Sequence, residues 1–341
     1  MTQSTQPLYL GVDAGNSKTV AVLADRSGTV LGYGRSGCGD IYGVPAEPLA
    51  VAEVVAAVNR ALDMASLPEH AGSRIGPTAV ARAAFCLAGV DWPADELFWR
   101  EQLTSWLPGL DSCSLRNDGF ALLRAGQPDG LGVALSSGTG GAVVARGPEG
   151  VEWSASMWLA DPLGGTALGE QAYTAVLRAE LGIAPPTVLR DSLLSRNRFT
   201  DVASLLAGTT GRGMERVRYA ALARDVLDAA TAGDVVAAGI VDQQATLFAQ
   251  YAVAAAKKVD LHEADIPVVL GGSVLSSESP ALRDATRTAL AELLPAARAM
   301  LTPRSPVVGA VLEAIAEGCG LDTAAVDRLT HYAFPAEFLL T

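Results

Sequence analysis

A chain of 341 residues with 25 Lys and Arg against 37 Asp and Glu carries a net charge of −12, and half of it is apolar while only 6% is aromatic. That composition excludes disorder, argues against electrostatic capture of nucleic acid or an anionic membrane, and is long enough for two domains, each burying its own core. An anionic small substrate stays compatible, because backbone amides or a metal ion override net charge locally.

The first half reads as a compact α/β unit. Strands are expected at Leu8–Asp13, Thr19–Ala24 and Val30–Gly34, with a turn at Ser27-Gly28. Apolar residues at 49, 51, 54, 55, 58 and 62 place a helix over Glu47–Ala65. A strand at Ala83–Ala88, a helix at Asp95–Trp106 and a strand at Ser112–Arg116 complete the unit. Trp92, Trp99 and Trp106, seven apart, are expected to pack along the helix.

The pattern then restarts. Gly132–Leu135, Ala142–Ala145 and Val151–Trp153 form a second three-strand meander. An ungapped shift of residues 11–30 by 121 places Gly11 on Gly132, Val12 on Val133, Ala21 on Ala142, Val22 on Val143, Ala24 on Ala145 and Val30 on Val151. These identities suggest a duplicated domain. Helices follow at Ala167–Glu180, Asp201–Leu206, Tyr219–Ala232 and Val235–Val259, then a strand at Pro267–Leu270 and a final helix at Val307–Glu317 opened by Pro306. The four cysteines (Cys38, Cys86, Cys113, Cys319) and three histidines (His70, His262, His331) have no metal-site spacing, so reduced thiols in a cytoplasmic chain are expected. His262 and His331 are read as structural. No uncharged apolar run approaches the roughly 18 residues of a membrane span.

Several loops could carry chemistry. Asp13 ends a buried strand, where a carboxylate needs a cation or several donors. The following Gly15, Asn16, Ser17, Lys18 and Thr19 form either an Asx-type turn or a phosphate-binding loop; the Walker A spacing is absent. Ser136-Ser137-Gly138-Thr139-Gly140-Gly141 is the matching turn of the second half, either a glycine-rich hairpin or a second phosphate cradle. Asp118 either caps the helix Phe120–Arg124 or acts as a general base. Gly271-Gly272-Ser273 follows a strand and lets a ligand rest against backbone.

Together these loops resemble the sugar kinase/Hsp70/actin-like ATPases, and more closely the BadF/BadG/BcrA/BcrD ATPase family, which includes N-acetylglucosamine kinase. The resemblance runs from Leu8 to about Glu317. Asp13–Thr19 is similar to the family's D-G-G-[GN]-[ST]-K-T loop, with Ala14 in the second position. Ser137-Gly138-Thr139-Gly140 matches its S-G-T-G loop, and Leu270-Gly271-Gly272-Ser273-Val274 its adenosine-side L-G-G-S-V segment. Pro306–Ala310 looks like the start of its last helix.

The resemblance implies two ribonuclease H-like (actin-like ATPase) domains with a central cleft, residues 1–117 and 118–341, with the 306–320 helix packing back on the first. It implies an ATP-dependent kinase of an amino sugar, foremost the 6-hydroxyl of N-acetylglucosamine, with Mg²⁺. Asp118 would be the base, Asp13 the Mg²⁺ residue, and Gly15–Thr19, Ser137–Gly140 and Gly271–Ser273 the nucleotide site. Asp40, Gly89, Asp118 and Asp161 would face the sugar. A homodimer is compatible with it, and neither nucleic acid nor membrane is an expected partner.

Two departures bear on the acceptor. Asp40 stands where the family has asparagine, so it accepts and cannot donate. The family's L-G-D-E-G-S-G-Y-x-I-G box reads here as Leu159–Gly169, with Pro162 for its glutamate and Leu163-Gly164 for its G-S pair. Glucosamine or another hexosamine is therefore an alternative acceptor. A non-catalytic sugar or nucleotide-binding regulator and an activator-type ATPase are further alternatives. The first lacks room for a helix-turn-helix before Leu8, and the second lacks closely spaced cysteines.

Overall fold

In the computed structural model, which describes residues 7–66, 75–110, 112–210, 216–261, 265–302 and 304–339, the chain opens with a three-strand meander. Strands β1 (Leu8–Ala14), β2 (Thr19–Asp25) and β3 (Val30–Ser36) pair antiparallel in sequence order. Helix α1 (Glu47–Ala65) leads to β4 (Val80–Leu87), which lies parallel to β1. Then α2 (Pro93–Trp106) leads to β5 (Cys113–Arg116), parallel to β4. The sheet order β3-β2-β1-β4-β5 is the ribonuclease H-like order expected from the resemblance.

This sheet is covered on both faces, which explains its unbroken apolar strands. Leu8, Leu10, Val12 and Ala14 of β1 join Ala21 and Leu23 of β2 in a core with α1 and α2. Tyr9, Val20, Val22 and Ala24 point the other way, into a core with Val307, Val311, Leu312 and Ile315 near the C-terminus. Alternation puts Asp13 on the Tyr9 face, at the end of its strand.

Helix α3 (Gly119–Gly126) follows, and then the second sheet begins with β6 (Gly132–Ser137), β7 (Gly141–Arg146) and β8 (Glu152–Ser154). Helices α4 (Gly165–Glu180), α5 (Leu189–Asn197), α6 (Val202–Thr210), α7 (Ala223–Thr231) and α8 (Val235–Lys258) precede β9 (Ile266–Gly271), α9 (Ala281–Leu293) and β10 (Ala297–Leu301). The order β10-β9-β6-β7-β8 repeats that of the first sheet, with β9 parallel to β6 and β10 parallel to β9. The hairpin loop is residues 15–18 in the first copy and 138–140 in the second, so an ungapped shift registers β2 with β7 but slips at the end of β6. The Asp234 side chain caps α8 by accepting from the Val236 and Ala237 amides at 3.0 and 2.9 Å.

The last segment, α10 (Pro306–Cys319), α11 (Thr323–Thr330) and α12 (Ala336–Leu339), returns to the first sheet. Contacts divide the chain into 1–132 with 302–341, and 133–301. The expected boundary after residue 117 falls ahead of α3, whose Ala121 carbonyl lies 1.9 Å from where a Cβ on Gly309 of α10 would sit. Helices α3 and α10 thus touch backbone to backbone, which keeps α3 with the first unit.

The expected packing of three tryptophans is corrected. Only Trp99 is buried, while Trp92 and Trp106 are 43% and 55% exposed. The inward stripe of α2 is Asp95, Trp99 and Leu103, spaced by four, and spacing by seven leaves it. His262 lies outside the described residues, and His331 closes α11 with Nδ1 2.7 Å from the Asp327 carbonyl.

Candidate functional site

In the first unit, the ends of β1, β4 and β5 bring several of the expected residues together. After Asp13 the chain turns tightly, the Gly15 amide donating to the Lys18 carbonyl at 2.9 Å. Asn16 and Ser17 are exposed, whereas Thr19 is fully buried and donates to the Gly37 carbonyl at 3.0 Å. Lys18 reaches the Leu339 carbonyl of α12. Burial lowers the pKa of this lysine, Arg35 lowers it further and Asp13 opposes both.

Asp40 is buried, and both its oxygens are engaged. Oδ2 accepts from Asn16 Nδ2 at 2.7 Å and Oδ1 from the Tyr42 amide at 2.9 Å. It therefore ties the loop after β1 to the segment before α1. Gly89 lies directly beside it, with Asp40 Oδ1 3.0 Å from where a Cβ on Gly89 would be.

Asp118 sits at the entrance of α3, partly buried, and its side chain makes no capping bond. Of the two readings open for it in the sequence, the cap has no side-chain bond of capping geometry behind it. Burial pushes its pKa up to about 7, helped by the charges of Asp13, Asp91 and Asp40 and opposed by the Gly119 amide. Asp13 is raised to about 6 by burial, with Lys18 pulling it down. At both carboxylates burial outweighs the opposing Lys18 charge or Gly119 amide, which is the condition under which an added cation or a substrate proton is stabilised.

Three residues beside these were not singled out in the sequence. Asn117 Nδ2 donates to Asp91 Oδ1 at 2.9 Å, and Asp95 accepts from the Tyr42 hydroxyl at 2.8 Å and from the Asp91 and Trp92 amides at 3.0 and 2.8 Å. The pair Asn117-Asp118 and the spacing Gly89-x-Asp91 were visible signals, but adjacency to a candidate is not evidence until the chain is folded.

In the second unit, Ser137, Gly138, Thr139 and Gly140 close the β6–β7 turn, the Gly138 amide donating to the Gly140 carbonyl at 2.9 Å. The Ser137 side chain is fully buried, and its Oγ has no hydrogen-bond partner among the described residues. The Gly271-Gly272-Ser273 turn packs on this loop. Gly272 has φ +85°, its Cβ position lies 2.4 Å from the Ser137 carbonyl oxygen, and the Val274 amide donates to that same oxygen at 2.8 Å. The two glycine-rich motifs of this unit thus pack into one continuous surface.

The altered box is a support for that surface. The Gly165 amide donates to the Gly138 carbonyl at 2.8 Å and the Thr166 amide to the Thr139 carbonyl at 3.0 Å, placing the first turn of α4 under the loop. Gln244, fully buried on α8, accepts from the Gly164 amide at 3.1 Å and donates to the Pro162 carbonyl at 3.0 Å. Asp161 is exposed, with the Tyr251 hydroxyl 3.5 Å from its carboxylate. It belongs to the second unit, whereas Asp40, Gly89 and Asp118 belong to the first. Gln244 is one of three glutamines in an apolar helix, so only its burial sets it apart from Gln243 and Gln250.

Among the described residues, no three His, Cys, Asp or Glu side chains converge in an arrangement that holds a metal ion unaided, and no helix is long and apolar enough to cross a membrane. Mg²⁺ commonly binds through one or two carboxylates and takes its remaining ligands from phosphate and water. A single desolvated carboxylate such as Asp13 fits that habit.

A model of the BadF/BadG/BcrA/BcrD ATPase family matches residues 10–314. An N-acetyl-D-glucosamine kinase of Dictyostelium discoideum is 24% identical over 319 residues, spanning 91% of this chain and 98% of its own. Among solved structures, a provisionally named N-acetylglucosamine kinase of Chromobacterium violaceum has a TM-score of 0.68 at 23% identity, over 91% of this chain and 99% of the other. A ROK family glucokinase of Streptomyces griseus, in complex with glucose and AMPPNP, has a TM-score of 0.54 at 18% identity, over 90% and 98% of the two chains.

Proposed function

Because the chain belongs to the BadF/BadG/BcrA/BcrD ATPase family, we propose that it is an ATP-dependent sugar kinase that phosphorylates the 6-hydroxyl of N-acetylglucosamine. The observation that carries this reading is Asp118, a carboxylate at a helix entrance, not spent on the cap, with its pKa raised to about 7. A general base works best when its pKa lies near the working pH.

Phosphoryl transfer asks a protein mainly for positioning and charge stabilisation. Asp118 accepts the proton of the incoming hydroxyl. The Gly140 amide and Thr139, with the Ser137 hydroxyl beneath them, would hold the terminal phosphates, while the Gly138 amide, spent on the Gly140 carbonyl, shapes the loop. Gly15, Asn16, Ser17, Lys18 and Thr19 form the second phosphate loop, and Gly271, Gly272 and Ser273 lie at the adenosine side. Asp13 would hold Mg²⁺, which when bound offsets phosphate charge. Gly89 would line the sugar in the first unit, where Asp40, its oxygens already engaged, shapes that side through Asn16 and Tyr42, and Asp161 is the candidate sugar contact carried by the second unit.

A second reading, glucosamine or another hexosamine as acceptor, is favoured by one feature. Asp13, Asp40 and Asp91 all act on Asp118, and so acidic a neighbourhood suits a protonated amine.

The test of the proposal is Asp118→Asn. Nucleotide binding should be retained, while transfer falls by at least about a hundredfold, the scale of general-base catalysis. Undiminished transfer would sink the assignment.

A further inference from the structure

Helix entrances leave backbone amides unpaired, and an Asp at the cap position ordinarily spends its carboxylate on one of them. A catalytic base in that position faces a competing use. In this chain the first three amides of α3 each have another partner of good geometry, and the Gly119 amide lies near enough to the Asp118 carboxylate only to favour its charged form. Gly119 donates to Asn117 Oδ1 at 3.0 Å, Phe120 to the Asn117 carbonyl at 3.1 Å, and Ala121 to the Asp118 carbonyl at 3.0 Å. Asp118 adopts φ −60°, ψ −25°, helical values for a cap residue, and makes no side-chain cap bond.

We propose that Asn117 is the positioning residue for Asp118: oriented by Asp91, it caps α3 in place of Asp118 and so leaves the Asp118 carboxylate for the substrate hydroxyl. The inference rests on the assignment of Asp118 made above.

The orientation of the Asn117 amide is what makes this work. A side-chain amide presents an acceptor on one side and donors on the other. Turned over, its NH₂ would meet the Gly119 N–H, donor against donor. Asp91 prevents this, because its carboxylate only accepts and holds Asn117 Nδ2 at 2.9 Å, while the Ala88 carbonyl lies 3.5 Å from the same nitrogen. Asp91 is set in turn by Asp95, which accepts from the Asp91 amide and is itself held by the Tyr42 hydroxyl. Asn117 is 5% exposed and Gly119 is buried, so water does not readily replace the lost bond. Without the Asn117 oxygen, the Gly119 amide has the Asp118 carboxylate as its neighbouring acceptor, and negative charge is favoured at a helix N-terminus. The base would be drawn into the cap.

The experiment compares wild type, Asn117→Ala, Asn117→Asp, Asp91→Asn and the double variant Asn117→Asp/Asp91→Asn, with N-acetylglucosamine and ATP as substrates and a melting curve for each. In the double variant the side-chain hydrogen bond re-forms with donor and acceptor exchanged, and residue 117 still offers Gly119 an acceptor. Asn117→Ala and Asn117→Asp should each lower kcat at least about tenfold, the order of a positioning defect, with KM for ATP within about twofold, and Asp91→Asn, whose amide oxygen still accepts from Asn117 Nδ2, should lower it less. The double variant should recover most of the lost kcat. A kcat for Asn117→Ala within about twofold of wild type would overturn the inference. So would single and double variants that lose kcat equally, or a loss explained by unfolding at the assay temperature. Asp118→Asn run alongside separates the failures: full turnover there removes the base itself, whereas inactivity there beside an active Asn117→Ala removes only the positioning role.

Discussion

Asp118 is where the account is most exposed to measurement. With its pKa near 7, kcat/KM should fall about tenfold for each pH unit below about 7 and level off above it. A profile flat down to pH 5 would contradict the role. The same shift has a consequence for stability. An acid whose folded pKa is raised takes up a proton more readily when folded, so stability declines as pH rises from about 4 to about 7 and the penalty persists above. Asp118→Asn removes that penalty. It should stabilise the protein at pH 8 by on the order of 2 kcal/mol and much less at pH 5, as denaturant titrations at the two pH values would read. Asp13, the two glycine loops and Asp118 were all legible as motifs. What was not legible was the use of each group. Asp40 reads as a sugar contact in the chain, yet its oxygens are taken by Asn16 and the Tyr42 amide. A residue's hydrogen-bond partners are set by long-range folding, which no local spacing encodes.

Among elements, α10 carries much of the first unit. Glu313, 2% exposed, pairs with Arg124 of α3, and Glu317 pairs with Arg82 of β4 at 2.7 Å. Glu313→Ala would leave the Arg124 guanidinium buried without its carboxylate and should cost about 3–5 kcal/mol, read as a lowered denaturation midpoint. In the second unit, Gly272→Ala meets both a φ of +85° and a carbonyl oxygen 2.4 Å from the new methyl. It should raise KM for ATP before it lowers global stability, because the displaced atom belongs to the loop proposed to hold the phosphates. Helices with a strong apolar period, such as α1 and α8, were read to within a residue of their ends. By contrast α9 escaped, because its inward stripe is Leu282, Thr286 and Leu290, a threonine between two leucines. The β10 segment, Ala-Arg-Ala-Met-Leu, is an edge strand with no fully buried side chain, so it has little pattern to show. The three-tryptophan spacing misled because helical burial follows steps of three and four.

For the whole molecule, the duplicated strand order gives length a meaning: two copies of one sheet plan, with the last segment returned to the first. A chain ending at Leu301 would uncover the Tyr9, Val20 and Val22 face that α10 buries, and should be insoluble or unfolded when expressed. Sugar-dependent ATP consumption is the activity on which the proposed function stands or falls. Its most direct measurement is ADP release by the purified protein with Mg²⁺ and ATP, over glucose, glucosamine, N-acetylglucosamine and N-acetylmannosamine, with the mass of the sugar product recorded. Release stimulated by N-acetylglucosamine, with formation of its monophosphate, is the predicted result. Release that no sugar stimulates would contradict it.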